Sequence, residues 1–115
     1  MTSTATPLDI LRNGRYSESD YTTGAGYRFA TILKRIECAD GFNLSVQAGD
    51  ALYSTPRDDR GPWTAVEVGY PSGRPEPWDE WSKYAEEAAD PTATVYGYVP
   101  FAMVEALIEA HGGPA

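Results

Sequence analysis

RIECADGFNLSVQAG, the stretch from Arg35 to Gly49, reads as a β-hairpin whose register follows from its own side chains. Phe42, Leu44, Val46 and Ala48 alternate with Asn43, Ser45 and Gln47, the period of a strand with one buried face. Ile32, Ile36 and Cys38 supply the matching apolar set on the preceding run. A two-residue turn at Asp40-Gly41 would set Glu37 opposite Leu44 and Arg35 opposite Val46. A three-residue loop from Ala39 to Gly41, with Gly41 left-handed, instead pairs Cys38 with Phe42 and Ile36 with Leu44. The second register is the one expected.

Upstream, residues 1–6 read as a flexible terminus. Thr6 is placed to cap a short helix with Pro7 at its first position, Leu8, Ile10 and Leu11 inside, and Gly14 at its end. RYSESDYTTGAG (15–26) is polar and glycine-bearing and reads as a surface loop. β-Branched and aromatic residues begin at Tyr27, although Phe29 to Lys34 fits a helix as well.

Downstream, Ala51 to Ser54 is expected to extend the hairpin after a bend at Gly49, and TPRDDRGP (55–62) reads as turns. WTAVEVGY (63–70) reads as a strand, with Thr64, Val66, Val68 and Tyr70 on one face and Trp63, Ala65 and Glu67 on the other. After the proline-rich break PSGRPEP (71–77), Pro77 opens a predicted amphipathic helix that ends at Asp90-Pro91. Its stripe is Trp78, Trp81, Tyr84 (with Ala85) and Ala88, and Asp79 and Glu80 occupy the first turn, where the helix dipole favours them. TVYGYV (94–99) reads as a strand with Val95 and Val99 on one face and Tyr96 and Tyr98 on the other. Pro100 starts a helix with Phe101, Val104, Leu107 and Ile108 in one stripe, Glu105 and Glu109 facing water, and Gly112-Gly113 as terminator. This order predicts an α+β fold: an antiparallel sheet of about four strands packed against two or three helices, a two-layer sandwich in one domain of residues 1–115.

The formal charge of −8 argues against generic binding to nucleic acid or anionic membrane, since both require excess Lys and Arg. It suits contact with a basic protein surface, or mimicry of the phosphates of DNA, and also the plain solubility of a small protein. The single cysteine, Cys38, excludes an internal disulfide and suits a reducing cytosol. No apolar run is long enough to span a bilayer and the polar MTSTATP start does not resemble a signal peptide, so a cytoplasmic protein is expected.

The residues with chemistry to offer each have a plain structural explanation beside the functional one. His111, the only histidine, lies at a helix C-terminus, where it complements the dipole; a catalytic role would need a partner nucleophile or carboxylate held beside it. Cys38 is expected to face the core opposite Phe42, and Lys34 and Arg35 are weak grounds for a reactive thiolate. One Cys and one His cannot furnish a structural zinc site. Asp58-Asp59, Asp79-Glu80 and Glu86-Glu87 lack the alternating ligand spacing of a calcium loop and read as solvated turns and helix faces. Glu67, between valines, is either exposed or a partly buried carboxylate. No metal and no cofactor is expected.

Two sets of residues remain. Arg57, Arg60 and Arg74 lie in the loops flanking the 63–70 strand and could grip phosphate beside aromatic planes, or could stiffen the loops by pairing with Asp58, Asp59 and Glu76. Trp78, Trp81, Tyr84, Tyr96 and Tyr98 exceed what so small a core can absorb, and Tyr, Trp and Arg are the residues that dominate interface hot spots.

IECADGFNLSVQAGDALYSTPR, GPWTAVEVGYPS and TVYGYVPFAMVEALIEAHGG together resemble a group of small proteins encoded by tailed bacteriophages and prophages, over residues 35 to 113. The group has no established activity, so the resemblance transfers no functional residue. It implies expression in a bacterial cytoplasm and a context in which small acidic proteins, anti-CRISPR proteins among them, inhibit host machinery. The expected function is a non-enzymatic binding protein that blocks a host or defence protein, such as a nucleic-acid-binding CRISPR effector. Its acidic residues Glu86 and Glu87 would be drawn to a basic groove and its exposed rings would anchor the contact. The alternative is a nucleotide-sequestering protein that uses Arg57, Arg60 or Arg74 with nearby aromatics. Neither reading fixes an oligomeric state.

Overall fold

Ile36 stands opposite Leu44 and Glu37 opposite Asn43, the register that a three-residue loop requires. The computed structural model describes residues 6–14, 32–58 and 60–115. Gly41 takes φ +96°, the Cys38 N–H donates to the Phe42 carbonyl at 2.8 Å, and the Asp40 carboxylate accepts the Phe42 N–H at 2.9 Å. The side chain of Asp40 thus closes the loop that the left-handed glycine makes possible.

This hairpin joins β1 (Ile36–Glu37) to β2 (Asn43–Gln47), followed by β3 (Ala65–Gly69) and β4 (Val95–Pro100). Each strand pairs antiparallel with the next in sequence, giving the order β1-β2-β3-β4. The helices are α1 (Pro7–Asn13), α2 (Trp78–Trp81) and α3 (Phe101–Ala110). The expected α+β arrangement is therefore what forms.

Leu44, Val46, Val66, Val68, Tyr96 and Val99 are fully buried on the core face of the sheet. Against them pack Leu8 and Leu11 of α1, the four predicted residues Phe101, Val104, Leu107 and Ile108 of α3, and Trp63 and Trp81. Burial of each such aliphatic or aromatic side chain stabilises the fold by about 1.5–3 kcal/mol. The helix ends follow the sequence. Thr6 and Asp9 form a reciprocal capping box at the start of α1, with Pro7 in the first turn, and hydrogen bonding to Thr6 holds the Asp9 carboxyl below its usual range. Gly112 and Gly113 take φ +93° and +81° beyond α3, where their N–H groups donate to Glu109 and Ile108.

Both sheet edges are partly covered. Beside β1 the C-terminal residues run antiparallel: Cys38 bridges Pro114, and the Ala115 N–H donates to Glu37 at 2.7 Å. Beside β4, Ala85 bridges Tyr96 and the Glu86 N–H donates to Val95 at 2.9 Å.

That second edge explains the main correction to the sequence reading. The helix expected from Pro77 to Asp90 stops after one turn, passes through a 3₁₀ turn at Ser82–Tyr84, and becomes extended at Ala85 (φ −70°, ψ 133°). Trp81 has by then inserted into the core. A further helical stripe of Ala85 and Ala88 offers little apolar area, whereas an extended Ala85-Glu86 satisfies backbone groups on the edge of β4. Two smaller corrections apply. Ile32 to Arg35 form neither helix nor strand, and the hairpin extension falls at Thr55, bridged to Ala65, rather than at residues 51–54. The expectations for residues 1–5, the 15–26 loop, Tyr27 to Thr31 and Asp59 lie outside the described residues.

Candidate functional site: tyrosines and acids along β4

Between Val66↔Val99 and Val68↔Tyr96 the pairing of β3 with β4 shifts by one residue, so that Glu67 faces two residues, Gly97 and Tyr98. This is a β-bulge, and Tyr98 in it takes the left-handed φ of +55°. A regular pleat would place the rings of Tyr96 and Tyr98 on the same face. With the bulge, Tyr96 is 0% exposed and Tyr98 43% exposed. Tyr70 shows the same device at the end of β3. Alternation puts it with buried Val66 and Val68, but φ +47° turns it outward to 55% exposure. Among the described residues these two tyrosines are the non-glycine residues with left-handed φ. Such a backbone costs an L-residue about 1–2 kcal/mol.

Tyr53 lies beside them. Buried Ser54 closes the bend after β2: its hydroxyl accepts the Gly49 N–H at 3.2 Å and reaches the carbonyl oxygens of Gly49 and Pro56, each at 3.1 Å. That fold-back brings Tyr53 over β3 and β4. Its N–H donates to the Glu67 carboxylate at 3.2 Å and its carbonyl accepts the Tyr98 N–H at 3.0 Å. Gly97 permits the approach, since a Cβ there would lie 3.1 Å from the Cβ of Tyr53. The rings of Tyr53 and Tyr98 are 5.8 Å apart and tilted by 37°, and the Arg57 guanidinium sits 6.0 Å from the Tyr53 ring centre.

The result is a groove of about 470 Å³ lined by Tyr53, Lys83, Tyr84, Glu86, Gly97 and Tyr98. A second depression of about 340 Å³, lined by Tyr70, Glu86, Glu87, Ala93, Thr94 and Val95, shares Glu86 with the first. Four tyrosines and two carboxylates thus form one strip. Two further depressions lie beside α1 and the C-terminal residues, one of about 350 Å³ against α3 and one of about 300 Å³ against β1 and the residues just before it.

Of the residues expected at a site, the strip brings together Tyr84, Tyr98, Glu86 and Glu87. Trp81 and Tyr96, expected among the surface rings, are instead interred at 1% and 0% exposure. Trp81 and Trp78 both meet Tyr96 edge-on, at 5.6 and 6.4 Å, and Trp78 is half-buried. The Tyr96 hydroxyl donates to the Pro91 carbonyl at 2.6 Å, and burial pushes its pKa up to about 12. Arg74 pairs with Glu76 at 2.8 Å and covers Trp78 at 5.5 Å, while the Asp58 carboxylate accepts the backbone N–H groups of Arg60 and Gly61. None of the four depressions is lined by Arg57, Arg60 or Arg74. Tyr53, Tyr70 and Lys83 were not expected at a site. The glycine inside TVYGYV was the available signal, since glycine within a strand marks a bulge or a close approach.

The titratable groups at the hairpin loop serve its attachment. The Nδ1 of His111 lies 2.7 Å from the Asp40 carboxylate, and its ring stacks on Phe42 at 3.9 Å and 5°. The Phe42 N–H, then His111, hold the Asp40 carboxyl below its usual range. Cys38 is 2% exposed, and burial, with Asp40 adding to it, pushes its thiol pKa up, opposite to what a nucleophile needs. Among the described residues, no three His, Cys, Asp or Glu side chains group so as to hold a metal ion, and no helix is long and apolar enough to cross a membrane.

No protein-family model, curated protein or solved structure matches the chain.

Proposed function

We propose that the chain is a non-enzymatic binding protein that docks on a basic surface of another protein through the strip of Tyr53, Tyr70, Tyr84 and Tyr98 with Glu86 and Glu87. The observation that carries this reading is the left-handed backbone of Tyr70 and Tyr98, which turns outward two rings that strand alternation would bury. Strain of this kind persists only where the surrounding structure enforces it, and it clusters at binding and active sites. Tyrosine supplies a large, stiff contact area with a polar tip, which suits a protein interface. The carboxylates beside the rings, within a chain of charge −8, steer a basic partner toward them.

The resemblance to phage-encoded proteins directs the choice of partner toward a bacterial host or defence protein with a nucleic-acid-binding groove, such as a CRISPR effector in the bacterial cytoplasm. Occupancy of that groove would inhibit it. Nucleic acid and anionic membrane are disfavoured as direct partners by the same acidic charge.

The test is capture from bacterial lysate over a salt series, with the wild-type chain and the Glu86→Lys/Glu87→Lys double variant compared side by side. A protein retained by the wild type should release as salt rises, and the double variant should bind it at least about tenfold more weakly, equivalent to about 1.4 kcal/mol. Identical capture by both proteins at every salt concentration would remove the electrostatic basis of the reading.

A further inference from the structure

We infer that the groove between Tyr53, Tyr84 and Tyr98 receives an arginine side chain of the partner, with the Glu86 carboxylate as its counter-charge. This inference rests on the docking reading above and names the chemistry that the docking uses. The groove, about 470 Å³, combines three phenol rings with one lining carboxylate. A guanidinium is planar and weakly hydrated, so it can lie against a ring while its edge donates to a carboxylate; a lysine ammonium, more strongly hydrated, loses more on entry. The rings of this chain already accept guanidinium groups of its own. Arg57 lies 6.0 Å from Tyr53, Arg74 5.5 Å from Trp78 and Arg12 5.8 Å from Phe101.

Lys83 in the lining and Arg57 beside the Tyr53 ring both work against a cation, and Lys83, inside the groove, makes the assignment decidable. If an arginine enters, removal of the Lys83 charge strengthens binding and removal of the Glu86 charge weakens it. An anionic ligand such as a phosphate requires both signs reversed, because Glu86 would repel it and Lys83 would hold it.

Backbone amide NMR of the full chain, titrated with N-acetyl-arginine amide, tests this directly. N-acetyl-lysine amide, N-acetyl-norleucine amide and inorganic phosphate are run in parallel. The arginine probe should shift the amides of Glu86, Gly97 and Tyr98 and saturate at several-fold lower concentration than the lysine probe, with the norleucine probe inert. Glu86→Gln should weaken the arginine probe about fivefold and Lys83→Gln should tighten it about twofold. Shifts caused by phosphate alone, equal shifts with norleucine, shifts spread evenly over the acidic surface, or no shifts with any probe would each overturn the assignment. If the arginine probe fails while the Glu86→Lys/Glu87→Lys protein still loses its captured partner, the docking reading stands and only the arginine assignment falls.

Discussion

Replacement of Trp81 by alanine is expected to lower the unfolding free energy by about 3–5 kcal/mol, the range for truncation of a large buried aromatic. The indole is 1% exposed and lies edge-on to Tyr96 at 5.6 Å, so the substitution removes both its own buried area and one wall of the Tyr96 site. Tyr96 in turn holds the 85–91 segment through its hydroxyl bond to Pro91 and its bridge to Ala85. The loss should therefore spread to the edge of β4. A domain of this size has about 5–15 kcal/mol in total, so the variant should unfold at much lower urea concentration and populate the unfolded state at body temperature. Urea unfolding followed by circular dichroism measures the shift. An unchanged midpoint would show that α2 is not docked as described, and Trp78→Ala, at a half-buried ring, should cost distinctly less.

Gly14→Ala is expected to cost about 2–3 kcal/mol, from a left-handed backbone and a steric overlap together. Gly14 takes φ +88°, and a Cβ there would lie 2.7 Å from the Arg60 carbonyl oxygen and 3.0 Å from the Pro62 nitrogen. Those atoms are backbone, so no side chain can swing aside. The Gly14 N–H closes α1 on Ile10 at 2.7 Å, and the Trp63 N–H donates to Leu11 at 3.2 Å. This contact is where α1 meets the loop before β3, and forcing it apart would draw Leu11 out of the core. Gly41→Ala is the control: its φ of +96° is equally left-handed, but nothing lies within 4 Å of an added Cβ, so only the conformational term of about 1 kcal/mol applies. Equal losses at the two sites, by the same urea measurement, would contradict the close packing at Gly14.

The elements that were legible in the sequence are those whose signals are local. The hairpin register followed from alternation and from one glycine, because the alternative would have faced Glu37 and Arg35 with core residues. α1 followed from a cap, an apolar stripe and a terminating glycine, and α3 from a starting proline, an apolar stripe and the Gly112-Gly113 terminator. The 78–88 stripe predicts helix throughout because Trp78, Trp81 and Tyr84 have helical spacing. What ended the helix was an open strand edge more than ten residues away in sequence, which no local period reveals. Tyr96 and Tyr98 could not be told apart by alternation, since the bulge that separates them reverses it. Of the strip, Tyr84, Tyr98, Glu86 and Glu87 were foreseeable as surplus rings and acids. Tyr53 arrives only through the fold-back that Ser54 closes, a tertiary event.

The central claim is that the backbone of Tyr98 is left-handed and displays the ring to solvent. The most direct measurement compares the unfolding free energies of Tyr98→Gly and Tyr98→Ala. Both lose the same ring, so the difference between them reports the backbone alone. At a regular strand position glycine is less stable than alanine by about 0.5–1 kcal/mol. At a left-handed position the order reverses, and the glycine variant should be the more stable by about 1 kcal/mol. An alanine variant as stable as the glycine variant, or more so, would contradict the bulge geometry and with it the outward display of the ring.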